Sequence, residues 1–213
     1  MTTDVPPPTE GAHRFFGERL PHAEVFAALL ADTGVSHGLI GPREVSILWE
    51  RHILNCAVIE DAFPDGARLI DVGSGAGLPG VALAIARPDL EVHLVEPMQR
   101  RTEWLESAIA EIGLDTVTVH RGRAEEFHGQ LTAPYVTARA VARLDKLARW
   151  CFPLLEHEGR MVALKGRSAE DELAATTTAL RKMGLVRADV GSHGADVLAA
   201  PTLTVTCHVR HGR

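Results

Sequence analysis

Between residues 71 and 80 the chain runs Asp71-Val72-Gly73-Ser74-Gly75-Ala76-Gly77-Leu78-Pro79-Gly80. Glycines at this density let a backbone turn sharply and approach a ligand closely. Gly75, Gly77 and Gly80 have the GxGxxG spacing that cradles a dinucleotide when a strand precedes it and a helix follows. Arg68-Leu69-Ile70-Asp71-Val72 reads as that strand, and the helix is expected from about Leu78. Pro79 is tolerated because the first helical turn has N–H groups without internal partners. Glu96 follows at the tip of the next strand, where a carboxylate can take both hydroxyls of a ribose.

The same loop also has the acidic-x-GxGxG spacing of S-adenosylmethionine enzymes, from Asp71 to Gly77. Three features favour the methyl donor: Asp71, a terminal hairpin of the kind methyltransferases of this fold carry, and no second α/β domain to hold a hydride-accepting substrate. A carboxylate beside the loop favours an ammonium and a sulfonium and would repel a pyrophosphate. The loop glycines, Gly73 and Gly75 among them, and Glu96 are therefore expected to hold S-adenosylmethionine. Ala124 and Glu125 lie where its adenine would be expected, although a helix start with an acidic first turn explains them equally. A structural turn and a nicotinamide site remain the alternatives for the loop.

The methyl acceptor is read from the tip of the fourth strand. An exocyclic-amine methylase would carry an Asn/Asp-Pro-Pro-aromatic signature there, and the chain has Ala138-Arg139-Ala140. A pyrimidine C5 methylase needs a cysteine nucleophile. Cys56, Cys151 and Cys207 fall in a helical segment, a helix and the last strand. An acceptor that is already nucleophilic fits better. A purine ring nitrogen such as guanine N7 has an in-plane lone pair and no proton to lose, so it needs alignment and charge stabilisation. Arg139 could hold guanine O6, a phosphate or the carboxylate of the methyl donor; a structural ion pair is its alternative.

Several elements must position these groups. Residues 10–63 read as helical, with Val25, Phe26, Leu29 and Leu30 at helical spacing, a break at Gly34 and Gly38, and a restart at Gly41-Pro42. Strands are expected at 68–72, 91–95, 117–120, 135–138 and 160–164, alternating with helices at about 78–86, 98–112, 144–155 and 169–182. Two last strands near 185–190 and 203–209 have no helix between them and must pair as a hairpin. This alternation implies an α/β, Rossmann-like, mostly parallel seven-stranded sheet with an antiparallel edge. Residues 1–65 form a tail and helical extension, and 66–213 the sheet domain.

Net charge is −6 over 213 residues, which argues against a protein that coats nucleic acid non-specifically. The acidic excess lies in residues 1–65, with 10 acidic and 4 basic groups, while 66–213 carries 18 of each. Within 121–149 six basic groups (Arg121, Arg123, Arg139, Arg143, Lys146, Arg149) face three acidic ones, a local basic surface or an ordinary solvated face. Arg100 and Arg101 could meet a phosphate or simply solvate a helix start. Three distant cysteines and no HExxH-like histidine spacing give no disulfide framework and no metal site, and fit a cytoplasmic setting. No apolar run approaches a membrane span of roughly 18 residues. Met1 to Glu10, with Pro6-Pro7-Pro8, reads as a loose tail without a secretion signal.

Arg51-His52-Ile53-Leu54, the loop from Asp71 to Gly80, Arg123-Ala124-Glu125-Glu126, Arg139-Ala140 and Ala163-Leu164-Lys165-Gly166 together resemble the bacterial small-subunit ribosomal RNA methyltransferase G family, also called GidB or RsmG. The resemblance covers about residues 40–167. It implies guanine-N7 methylation of 16S ribosomal RNA in the decoding-region loop, on the small subunit or an assembly form. It implies that Gly73, Leu78, Ala124, Glu125 and Arg139 contact S-adenosylmethionine, and that His52, Arg123 and Lys165 lie near the target nucleotide. A monomer is expected. Two departures stand out: Asn55 replaces the family's aspartate after RHIL, and His193 to Thr202 carries no lysine or arginine. A small-molecule or protein methyltransferase, or a non-catalytic ribosome-assembly factor, remains the competing expectation.

Overall fold

Residues 5–139 and 142–211 are described by a computed structural model, so Ala140, expected beside Arg139, lies outside the described residues. The chain opens with α1 (Glu10–Phe16) and α2 (Leu20–Leu29), which continues into a π-turn at Leu30–Gly34. After Gly41 a 3-10 segment (Pro42–Ile47), a π-turn (Trp49–Leu54), α3 (Asn55–Ala57) and a second 3-10 segment (Val58–Ala62) follow. The sheet region is β1 (Arg68–Val72), α4 (Gly80–Ala86), β2 (Glu91–Glu96), α5 (Gln99–Ile112), β3 (Val117–Arg121), a 3-10 turn (Ala124–Phe127), β4 (Ala133–Arg139), α6 (Leu144–Cys151), β5 (Leu155–Lys165), α7 (Ala169–Lys182), β6 (Leu185–His193) and β7 (Thr202–Arg210).

The seven strands lie in the order β3-β2-β1-β4-β5-β7-β6. The first five are mutually parallel where they pair, and β7 is antiparallel to both β5 and β6. The last two strands pair as a hairpin, and it is the final strand that lies inside the sheet, leaving β6 at the edge. Strand order reverses between β1 and β4, so a crevice opens beyond their carboxyl ends, at Val72 and Arg139. Leu69 to Val72 are buried, as a strand covered on both faces requires.

One hydrophobic core joins the N-terminal helices to α4, α5 and one sheet face; Phe26, Leu30, Leu48 and Ile53 meet Leu83, Leu94 and Val162 there. A second core packs α6 and α7 on the opposite face, around Ile70, Val136, Phe152 and Met161. Polar ties reinforce the first. Arg87 reaches Glu60, Asp65 and Asp89 at 2.9, 2.9 and 2.7 Å. Trp104 donates to Thr33 at 2.9 Å, and Asn55 donates to Thr202 at 2.7 Å.

Two segments differ from expectation. The helix expected over 144–155 ends at Cys151, and Phe152–Leu154 is a 3-10 turn. Pro153 has no amide hydrogen to continue the helix, so β5 starts at Leu155 and runs eleven residues. The tail is not loose after residue 5: Trp49 donates its indole N–H to Pro6 O at 2.9 Å, and Thr9 caps α1 through Ala12 N–H at 3.2 Å. Met1 to Asp4 lie outside the described residues. Among the described residues no helix is long and apolar enough to cross a membrane.

Candidate active site

The glycine loop is pinned at both ends by its own backbone. Gly73 and Ser74 N–H groups donate to Val95 O at 2.8 and 3.2 Å, tying the loop to β2. Ser74 Oγ donates to Asp71 O at 2.9 Å, and Gly77 N–H to Ser74 O at 2.7 Å. Gly77 has φ +81°, and a Cβ there would stand 2.5 Å from Val81 Cγ2. A Cβ on Gly80 would collide with Leu94 and with the Asp71 carboxylate. Only glycine lets α4 start this close to β1 and β2.

Both carboxylates predicted for the cofactor are buried behind this loop. Asp71 is 0 % exposed and accepts the Gly80 N–H at 2.9 Å through Oδ2, while Oδ1 has no partner. Burial pushes its carboxyl up to about 7, opposed by the Gly80 N–H, the nearby Ser74 hydroxyl and the Arg139 charge. Glu96 is 2 % exposed. Its oxygens accept the N–H groups of Met98 and Gly75, each at 3.0 Å, and Arg101 stands 3.7 Å away. Glu96 therefore braces the loop, with lone pairs to spare for further hydrogen bonds.

Two clefts meet at Gly73. The first, about 290 Å³, is lined by Val72, Gly73, Val95, Pro97, Arg123, Ala124, Glu125 and Trp150. Apolar walls with Glu125 at the rim suit a flat, weakly polar heterocycle. The second, about 230 Å³, is lined by Ile40, Gly41, Glu44, His52, Gly73, Gly75, Leu78 and Arg139 among others. The unpartnered Asp71 oxygen, the glycine cradle and the apolar cleft fit S-adenosylmethionine: its cation needs a buried negative charge and its adenine an apolar slot.

The second cleft contains a chain of three polar side chains. Arg139 guanidinium nitrogens stand 3.3 Å from His52 Nδ1, and one also donates to Arg51 O at 3.4 Å. His52 Nε2 stands 2.8 Å from Glu44 Oε2. Arginine only donates, so Nδ1 must accept and Nε2 must carry the hydrogen. That assigns a neutral imidazole. Its pKa lies below the ordinary value, through burial first and the Arg139 charge, against the raising effect of Glu44.

The other expected site residues are not all here. Arg123 is exposed and lines the first cleft. Lys165 is largely buried and donates to Ala142 O and to Glu172 Oε1, both at 2.9 Å. Asn55 binds the hairpin through Thr202. Of the six basic groups of 121–149, Arg121 is on β3, Arg139 on β4, Lys146 and Arg149 on α6, and Arg123 and Arg143 are the residues just before the Ala124–Phe127 turn and α6. Arg100 and Arg101 open α5, and Arg101 faces Glu96. Cys56, Cys151 and Cys207 are buried, and burial raises all three thiols, Cys56 to about 11 and Cys207 to about 12. Sequence reasoning misses Glu44 and Trp150. Glu44 lies eight residues before His52 in an irregular segment, a spacing that carries no local signal. Trp150 follows the helical pattern of α6, which gives no sign of the cleft it reaches.

The strand order, the loop at the switch point and the paired clefts define an S-adenosylmethionine-dependent methyltransferase. Solved structures agree on the fold. A TYW2 from M. jannaschii in complex with AdoMet superposes with a TM-score of 0.57 at 16% identity, covering 75% of this chain and 74% of that one. A SAM-dependent methyltransferase from Aquifex aeolicus gives 0.56 at 14% identity, covering 80% and 99%. A family model described as rRNA small subunit methyltransferase G (GidB) matches residues 19–197. The chain is 52% identical over 203 residues to the Ribosomal RNA small subunit methyltransferase G of Streptomyces avermitilis, covering 95% of this chain and 85% of the relative. It is 59% identical over 166 residues to that of Thermobifida fusca, covering 78% and 70%. The chain belongs to the rRNA small subunit methyltransferase G family.

Proposed function

We propose that this chain methylates guanine N7 of 16S ribosomal RNA with S-adenosylmethionine. The observation that carries the acceptor is the Glu44–His52–Arg139 chain beside the glycine loop. Both His52 nitrogens are engaged, so the imidazole is not a free general base, and the three buried thiols are not nucleophiles. When bound, S-adenosylmethionine supplies an electrophilic methyl group, which a ring nitrogen takes with its own lone pair and without losing a proton.

The chain's residues then have separate tasks. Gly73, Gly75 and Leu78 shape the cofactor wall, with Asp71 beneath it. Ala124, Glu125 and Trp150 hold the adenine, and Glu96 keeps the loop in place and faces the ribose. Arg139, oriented by His52, aligns the donor and the guanine edge. Arg123 meets the nucleotide at the rim. Lys165 holds the segment after β4 through Ala142 and Glu172. In this reading residues 1–65 build one wall of the acceptor cleft and 66–213 hold the cofactor. The protein works as a monomer in the cytoplasm, on the small subunit or an assembly form of it.

Incubation with labelled S-adenosylmethionine and unmodified small subunits tests this. Label at guanine N7 of the 16S RNA is expected. Label elsewhere, or transfer only to small molecules or protein, overturns it.

A further inference from the structure

The sheet face that carries the N-terminal helices is not covered to its end. The first core covers β1, β2 and β3, Tyr135 of β4 and Val162 and Leu164 of β5, and the Val58–Ala62 turn reaches one end of β7. Lower down, no described residue outside the sheet lines the β5–β7–β6 cleft on this face. Strand alternation places Arg160, His208 and Arg187 there in one row: Arg160 pairs with His208 across β5 and β7, and His208 with Arg187 across β7 and β6. Tyr135 extends the row onto β4. These residues line a cleft of about 320 Å³, with Glu158 and Arg210 on its rim.

The charges in this cleft do not cancel. Arg210 is paired with Glu158 at 2.8 Å, and Asp189 stands 3.7 Å from His208. Arg160 and Arg187 are exposed, and neither has a carboxylate within 4.0 Å among the described residues. Arg160 instead stands 6.0 Å from the Tyr135 ring centre. His208 is pushed below its ordinary pKa by burial, then by Arg187 and Arg160, with Asp189 opposing. Two guanidinium groups without a carboxylate among the described residues, about 10 Å apart across the sheet at two strand spacings, suit phosphate oxygens, which arginine binds as a fork.

The cleft is also far from the methyl-transfer site. Tyr135 precedes Arg139 by four residues on β4, about 13 Å of strand. A substrate held at both places must extend past that distance, as a nucleic-acid chain does. We propose that the Arg160–His208–Arg187 row binds backbone phosphates of the RNA substrate outside the methylated loop, as a second contact independent of sequence. This rests on the RNA reading above.

The test uses the full chain and an Arg160→Gln/Arg187→Gln double variant, with initial rates of methylation on unmodified small subunits over a salt series. The double variant is expected to raise KM about tenfold and to lower the log–log salt slope by about 2, one for each phosphate contact. Its kcat and its affinity for S-adenosylmethionine should match the parent. Unchanged KM and salt slope in the variant, with an active parent, overturn the second contact and leave the RNA reading intact. A parent that puts no label into RNA overturns the RNA reading itself. Should the double variant misfold, the imidazole signals of His208 in the parent protein report directly. A uridine decamer is expected to shift them. No shift, or the same shift from inorganic phosphate at equal phosphate concentration, overturns the proposal.

Discussion

The two walls of the active crevice are built in different ways. The cofactor wall is backbone: a ten-residue loop hung on β1 and β2, with the buried carboxylates of Asp71 and Glu96 accepting the loop amides of Gly80 and Gly75. The proposed acceptor wall is side chain. Glu44 and His52 come from irregular turns of the N-terminal extension and Arg139 from the tip of β4, so the wall exists only where two distant stretches meet. A backbone wall tolerates almost no change at its close approaches. A side-chain wall tolerates change in fold but not in chemistry. Substitutions should therefore separate the two walls by whether stability or turnover suffers.

The largest effect is expected from Gly77→Ala. It adds a Cβ 2.5 Å from Val81 Cγ2 at a φ of +81°. Crowding and the left-handed backbone together should cost about 3 kcal/mol. Urea unfolding should show that loss, and calorimetry should show no S-adenosylmethionine binding. A stable variant with normal binding would break the claim that this wall is set by its backbone.

Arg139→Ala should leave the urea midpoint close to the parent and lower kcat on the order of 100-fold, as removal of one charge-stabilising group does. A parallel loss of stability would make Arg139 a structural ion, not part of the acceptor wall.

Glu44→Ala comes next. His52 loses the partner that holds its Nε2–H, and kcat should fall about tenfold, comparable to loss of an outer hydrogen-bond partner. The pH profile separates positioning from packing. Protonating His52 places N–H against N–H at Arg139, so activity should fall as pH drops through the lowered His52 pKa. Glu44 raises that pKa; without it the fall should move to lower pH, and Glu44→Gln should recover most of the rate. An unshifted profile would remove Glu44 from the site.

Asp71→Asn should have the smallest effect on turnover and a specific effect on pH dependence. The native carboxyl is pushed up to about 7, above the ordinary carboxylate value. Between those two values the native state holds a proton that the unfolded chain releases. Stability contributed by this group is therefore lost as pH rises through that window, and the loss levels off above about 7. The variant should show less difference between urea midpoints at about pH 5 and pH 8 than the parent, and about tenfold weaker S-adenosylmethionine binding from loss of one charge-assisted contact. Equal pH slopes would mean that Asp71 ionises freely.

Most of the cofactor wall is legible in the chain alone, because its signals are local. Glycine spacing, the acidic residue ahead of it and the strand pattern all fall within about thirty residues, and the close approaches at Gly77 and Gly80 permit no other residue. The five parallel strands and the terminal hairpin are legible for the same reason, through alternation and turn residues. The strand pattern puts Glu96 at the tip of β2, where it lies, but its burial and its two amide partners depend on how the loop folds back. Pro153 is a local signal that helical periodicity obscures: α6 ends at Cys151, four residues short of the periodic pattern.

The chain by itself therefore determined the class of fold, the loop and the residue types that a methyl donor needs, since these follow from short-range sterics and charge. Tertiary structure alone decided that His52 stands between Glu44 and Arg139, that Lys165 is tied to Glu172, and that Arg160, His208 and Arg187 form one row. Those facts depend on strand register and on helix packing across tens of residues. Hydrogen-bond partners and charge neighbours at that separation leave no periodic trace in the chain.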